Sequence, residues 1–203
     1  MRILYLHSSK PLLAFADACL ALTPKVFLFK DKAIYLDIEV TKKYFGGEAK
    51  ILEKFHSLRT EFGQEMKAVL TDRPEWAKVF AADSDLFIPE GQSYSTLLKL
   101  PVDSLIHFGD PGCLEEEKLT RMPLIAFMKR VGLQTIADFA NLNPTAIGRR
   151  FGKPGILLHQ WVTGTRELCL TPFIPEPSIV EFTDTEDIGS VEALLLEIEK
   201  NIK

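Results

Sequence analysis

The sequence predicts an α+β fold, and three observations carry the prediction. Short β-branched and aromatic runs alternate with amphipathic stretches over residues 1–100, the pattern of strands and helices built around one sheet. Residues 114–170 carry helical patterns only. Pro172, Pro175 and Pro177 then mark a stiff, extended connection. The expected organisation is a sheet-containing domain over 1–100, a helical domain over 101–172, and a linker with a final segment over 173–203.

Taken in order, Arg2–His7 holds the apolar run of a buried strand, and Pro11–Leu22 is Ala-rich and helical, stopped at Thr23-Pro24. Val26–Phe29 and Ile34–Ile38 are β-branched and aromatic, and the polar Lys30-Asp31-Lys32 between them suits a hairpin. Ile51, Leu52, Phe55, Leu58 and Phe62 fall on one stripe of a helix over 48–62, closed by Gly63. Met66–Thr71 reads as a strand. Asp72 is expected to cap a helix running from Pro74 to Ala82, with proline tolerated in the first turn. Leu86–Ile88 is a last short strand. Helical patterns then cover Leu114–Val131, Ile136–Leu142, Thr145–Phe151 and Ile156–Thr163, and an amphipathic helix is expected over Ser190–Asn201.

At 203 residues, 46% hydrophobic and 26% charged, the chain has the composition of an ordinary globular protein with ample core. No apolar run approaches the roughly 20 residues needed to cross a bilayer, and the apolar stretch of the N-terminus is too short for a secretory signal. Cys19, Cys113 and Cys169 form no C-x-x-C pair, and the four histidines are scattered. That usage indicates neither a disulfide framework nor a zinc site, and it fits a reducing cytoplasm. The net charge of −4 is unevenly spread: residues 1–117 balance at −4, residues 118–172 at +6 and residues 173–203 at −6. A basic middle segment between acidic flanks is a plausible footprint for a phosphate backbone.

Ordered motifs add a family reading. Tyr35-Leu36-Asp37 is followed by Tyr44-Phe45-Gly46-Gly47-Glu48, then by Val69-Leu70-Thr71-Asp72-Arg73-Pro74 and Leu100-Pro101-Val102. Gly132-Leu133-Gln134-Thr135-Ile136-Ala137-Asp138-Phe139 and Arg149-Arg150-Phe151-Gly152 come later. Together these resemble the palm and thumb of a Y-family (translesion) DNA polymerase, of the ImuB-type branch. The resemblance implies a ferredoxin-like palm followed by an all-α helix-hairpin-helix thumb. Phe182-Thr183-Asp184 resembles the opening strand of a little finger, most of which is expected to be missing.

What that family uses for catalysis is not found here. Aligned on Tyr35-Leu36-Asp37, its Asp-Glu pair falls on Lys32 and Ala33, and the first strand ends Leu4-Tyr5-Leu6-His7-Ser8-Ser9 with no acid. Two metal ions clamp the attacking and leaving oxygens in such an enzyme, and a lysine repels them. Only Ser8–Lys25 separates the first strand from the hairpin, so the nucleotide-covering fingers are expected to be absent; Phe15–Pro24 looks like the helix that normally follows them. The expectation is a protein without enzymatic activity, cofactor or metal.

Binding is expected in the thumb-like segment instead. Gly152-Lys153-Pro154-Gly155 reads as a helix-hairpin-helix turn whose glycines allow close backbone approach and whose following N–H groups can hold a phosphate. Arg149, Arg150 and Lys153 would add charge on the same side, giving weak, non-specific DNA binding by Arg149, Arg150, Gly152, Lys153 and Gly155. An earlier hairpin is not recognisable in His107–Gly112. The resemblance implies an adaptor in DNA-damage tolerance, beside a RecA-like (ImuA-type) protein, an error-prone replicative-type polymerase and the sliding clamp. Two other readings stay open. One is a metal-dependent phosphoryl-transfer enzyme with a relocated site at Asp37 and Glu39, helped by Asp72. The other is a pure protein-interaction module, for which hydrophobic surface left by missing fingers would serve.

Overall fold

A five-stranded sheet organises the chain, built from β1 (Ile3–His7), β2 (Val26–Phe29), β3 (Ala33–Asp37), β4 (Lys67–Thr71) and β5 (Leu86–Phe87) in the order β2-β3-β1-β4-β5. In this computed structural model residues 1–63, 66–81, 85–108 and 114–175 are described, residues 114–120 by their backbone alone. β1 is central and runs antiparallel to both β3 and β4, β2 is antiparallel to β3, and β5 joins parallel to β4. Residues 1–173 pack as one unit; of a second unit, 174–203, Ile174 and Pro175 are described.

Because side chains alternate along a strand, β1 separates two cores. Leu4 and Leu6 join Ile34, Leu36, Ala68 and Leu70 on one face, covered by α1 (Leu13–Cys19) and α3 (Glu48–Glu61) through Phe15, Ala16, Cys19, Ile51 and Phe55. Ile3 and Tyr5 join Ala33, Tyr35 and Val69 on the other. There α4 (Pro74–Phe80) packs with Trp76, Ala77 and Phe80, and the same cluster continues into the helical half through Ile136, Phe139, Ile147, Phe151 and Trp161. The Trp76 indole N–H donates to the Trp161 carbonyl at 3.1 Å, tying α4 to the end of the last helix. Each large apolar side chain so buried contributes about 1.5–3 kcal/mol, which is why the two halves share one core.

The helical half comprises α5 (Ser93–Leu98), a 3-10 segment (Val102–His107), α6 (Leu114–Arg130), α7 (Ile136–Ala140) and α8 (Pro144–Thr163). Thr135 caps α7 through a capping box: its side chain accepts from the Asp138 N–H at 3.2 Å, and the Asp138 carboxylate accepts from the Thr135 N–H at 2.8 Å. The Gln134 N–H reaches the same carboxylate at 2.9 Å. These backbone bonds hold the Asp138 carboxyl below its ordinary range. Asn143 caps α8, with Pro144 in its first turn.

Three expectations need correction. Asp72 does not cap α4: Arg73 holds the N-cap position without a side-chain bond, because the Asp72 carboxylate is taken by Arg2 and by the Ser93 N–H. The four-residue turn over Gly152–Gly155 is a one-residue break at Gly152 (φ 62°, ψ −158°), and Lys153, Pro154 and Gly155 already belong to the second stretch of α8. Finally, α2 (Lys42–Phe45), α5 and the 3-10 segment were not expected, being short and weakly periodic. The expected strand near Phe182 and the helix over Ser190–Asn201 lie outside the described residues, as do Ala82 and 109–113.

Candidate functional site

The hairpin turn brings together the positions where the family pattern places its carboxylates. Lys30 (φ 46°) and Asp31 (φ 54°) both adopt left-handed backbone, and the Lys32 N–H donates to the Phe29 carbonyl at 3.1 Å, the bond of a primed turn. Ala33 then pairs with Phe29 on β2 and with His7 on β1, and His7 pairs with Lys67 on β4. Phe29, Ala33, His7 and Lys67 therefore form one row across four strands, with Lys32 immediately beside it. Lys32 is exposed and Ala33 buried. His7 is itself exposed; partial desolvation first, then the charges of Lys78, Lys32 and Lys67, lower its pKa below the ordinary 6.5. Lys32, where the family pattern places an acid, disfavours a divalent cation at that position.

Glu48 and Asp72 lie at the opposite end of the sheet, where Arg2 organises them. Its fully buried guanidinium donates to Glu48 through Nε at 2.6 Å and through Nη2 at 3.1 Å, to Asp72 at 2.9 Å, and to the Ile88 carbonyl. The Asp72 N–H donates to the Ser93 hydroxyl at 2.9 Å, and the Ser93 N–H returns a bond to Asp72 at 3.1 Å. Burial pushes the Asp72 carboxyl up, but the Ser93 bonds and the Arg2 charge outweigh it and leave its pKa below the ordinary 3.8. Asp37 is buried; its carboxylate accepts from the Glu39 N–H at 3.2 Å and faces Lys25 at 3.4 Å. Glu39 lies 4.0 Å from Lys42. The acids that a relocated metal site would need are thus engaged with cations and amides. Among the described residues, no group of three or more His, Cys, Asp or Glu side chains is placed to hold a metal ion.

The basic helical residues separate into two kinds. Arg149 and Arg150, before the break in α8, and Gly152 and Lys153, at and after it, are exposed. Gly155 is buried: a Cβ there would lie 2.3 Å from the Phe151 Cβ and 3.2 Å from Ile147 Cγ2, so its missing side chain serves helix packing. Phe151 anchors the exposed residues, stacking edge-on against Phe127 at 5.8 Å and near Phe139 at 6.4 Å. Arg130, which sequence reasoning did not single out, lies over the Phe127 ring at 5.7 Å and brings a cation from α6 to this contact. The +6 balance of residues 118–172 was the signal that could have found it. Its neighbour Lys129 pairs with Asp103 at 2.9 Å.

Comparison with known proteins bears on the fold. No family model matches the chain. It is 26% identical over 160 residues to Protein ImuB of Caulobacter vibrioides, in strain NA1000 / CB15N and equally in strain ATCC 19089 / CIP 103742 / CB 15. The match covers 78% of this chain and 32% of the relative, so the chain spans about a third of the length of the curated relatives it matches. This chain is a distant homologue of ImuB. Among solved structures it resembles DinB from Sulfolobus solfataricus, with a TM-score of 0.59 at 15% identity, over 78% of this chain and 45% of that one. A DinB family error-prone DNA polymerase from the same organism matches with a TM-score of 0.60 at 12% identity, over 85% and 69%. The mixed five-stranded sheet and its helices therefore match regions of the Y-family polymerase fold. No helix among the described residues is long and apolar enough to cross a membrane.

Proposed function

We propose that this ImuB homologue is a Y-family polymerase relative without catalysis, acting as a non-enzymatic adaptor in DNA-damage tolerance in the cytoplasm. Residues 1–100 take the role of a ferredoxin-like palm, residues 101–172 that of a thumb, and 173–203 that of a linker leading into a little-finger-like segment. One observation carries the reading: the row that would hold metal-binding carboxylates carries His7, Ala33 and the neighbouring Lys32 in their place. The short connection from β1 through α1 to β2 supports it, since it leaves no fingers between them. As an adaptor the protein works beside a RecA-like protein, an error-prone replicative-type polymerase and the sliding clamp.

DNA contact is assigned to Arg149, Arg150, Gly152 and Lys153, with the N–H groups that open the second stretch of α8 facing a phosphate. Such contacts are sequence-independent and salt-dependent. Fluorescence anisotropy with a short duplex tests this. Arg149→Glu and Lys153→Glu should each weaken binding and make the salt dependence shallower by about 0.9 in the logarithmic slope per lost phosphate contact. Unchanged binding by both variants removes the thumb role and leaves a protein-interaction module, which gel filtration with the RecA-like protein then tests directly.

A further inference from the structure

We propose that the outer face of α6 is a docking surface for an acidic amphipathic helix of a partner protein. The helix already buries one side in the shared core, through Ile125 and Met128. At about 3.6 residues per turn, Met122, Pro123, Ala126, Phe127, Arg130 and Val131 share the other half, and all six are exposed. Val131 follows α6 and continues its turn, its N–H donating to the Phe127 carbonyl at 3.1 Å. Met122 is 61% exposed, Val131 45% and Phe127 38%. A helix that packs by one face alone carries polar residues on the other, yet here only Arg130 among the six is polar. Apolar surface gathered in this way marks a contact with another protein.

Charge decides what covers it. Arg130 lies over the Phe127 ring at 5.7 Å. Phe127 in turn meets Phe151 edge-on at 5.8 Å, which joins this face to the stretch of α8 carrying the exposed Arg149 and Arg150. Among the described residues, no carboxylate is paired with any of these three arginines, whereas Lys129 is neutralised by Asp103 at 2.9 Å. A second copy of the chain would bring the same arginines to the same stripe, and like charges repel. A phosphate backbone would satisfy the arginines but leave Met122, Phe127 and Val131 in water. An acidic amphipathic helix satisfies both: its apolar stripe covers the three side chains, and its flanking carboxylates accept the paired donors of the guanidinium groups. Phe127, held by Phe151 and rimmed by arginine, is the central anchor; aromatic residues and arginine dominate the energetics of such contacts. Docking on this face needs no DNA contact by α8.

Fluorescence anisotropy of the full chain with a labelled synthetic peptide tests the surface. The peptide is an acetylated helix about four turns long, with leucine along one stripe and glutamate elsewhere. Binding is expected, weaker as salt rises, and weakened by about tenfold or more in a Met122→Gln/Val131→Gln variant. A counterpart peptide with lysine in place of glutamate should not bind. Both substituted residues face solvent and glutamine is a good helix former, so the melting temperature should not change. Methyl NMR should show the Met122 signal shifting on addition of the acidic peptide while that of Met66, in the core beneath the other sheet face, stays put. Duplex affinity should be the same for wild type and variant, which tells failure of this surface apart from failure of the α8 contact. No binding of the acidic peptide, equal binding by wild type and variant, or equal binding of the two peptides would overturn the proposal. A loss of duplex affinity in the variant would assign the face to nucleic acid and overturn it as well. So would dimerisation in sedimentation velocity that the two substitutions abolish, which assigns the face to a second copy.

Discussion

The two ends of the sheet, roughly 13 Å apart along a five-residue strand, are built from different residues. At the Arg2 end one buried guanidinium gathers Glu48 and Asp72. At the His7 end the imidazole is paired across the strands with Lys67, and Lys32 precedes its other partner, Ala33. In a metal-dependent polymerase the carboxylates would stand at the second end, free to bind ions. Here Glu48 and Asp72 are joined to Arg2 at the first end, fastening α3 and the β4–α4 turn to the start of β1, and Arg2 also donates to the Ile88 carbonyl. Carboxylates paired with a buried cation, as Glu48 and Asp72 are with Arg2, hold elements together, whereas carboxylates kept unpaired for metals repel one another.

The Arg2 end should give the largest effect when broken. Arg2→Met leaves Glu48 and Asp72 without their cation, and removing one partner of a buried pair costs about 3–5 kcal/mol. Urea unfolding measures it, and a loss below about 1 kcal/mol would show that the network contributes little.

Acid should then separate the two ends by their windows. His7 has a depressed pKa, so the unfolded chain binds the proton first; stability falls as pH drops below the ordinary 6.5 and stops changing below the folded value. Asp72 is also depressed, so its share is present above the ordinary 3.8 and is lost as pH falls through the folded value. Melting temperature against pH should show both steps, with His7→Gln removing the upper and Arg2→Met shrinking the lower. A single step unaffected by either variant contradicts the assignment.

The smallest effect belongs to the turn itself. Lys30 sits in left-handed backbone, which costs a residue with a Cβ about 1 kcal/mol, partly offset by the greater chain entropy of glycine. Lys30→Gly should therefore raise stability by no more than about 1 kcal/mol, and a clear loss would indicate a different turn.

Much of this fold was legible because its signals are local. Val26–Phe29 and Ile34–Ile38 announce a hairpin by alternation, and Thr135-x-x-Asp138 is a capping box readable from spacing alone. The Arg2 network was not legible. Its partners Glu48 and Asp72 stand 46 and 70 residues away, and Asp72 before Pro74 has the local look of a helix cap. Only the sheet register brings Arg2 close enough to compete for it. Gly155 misled for the same reason: Gly-x-x-Gly suggests a turn, yet its missing Cβ makes room for Phe151. The row at the hairpin end was half legible: Lys32 and Ala33 could be placed by alignment, but Lys67 meets His7 only through the pairing of β1 with β4.

The central claim is that the palm-like sheet persists as a scaffold with its catalytic end reversed in charge. Primer extension tests it most directly: purified protein, a primed template, all four deoxynucleotides, and Mg²⁺ or Mn²⁺ in turn. The account predicts no incorporation above background with either metal, because Lys32, Ala33 and His7 offer no carboxylate to hold one. Templated extension that scales with protein concentration and is abolished by EDTA would contradict it.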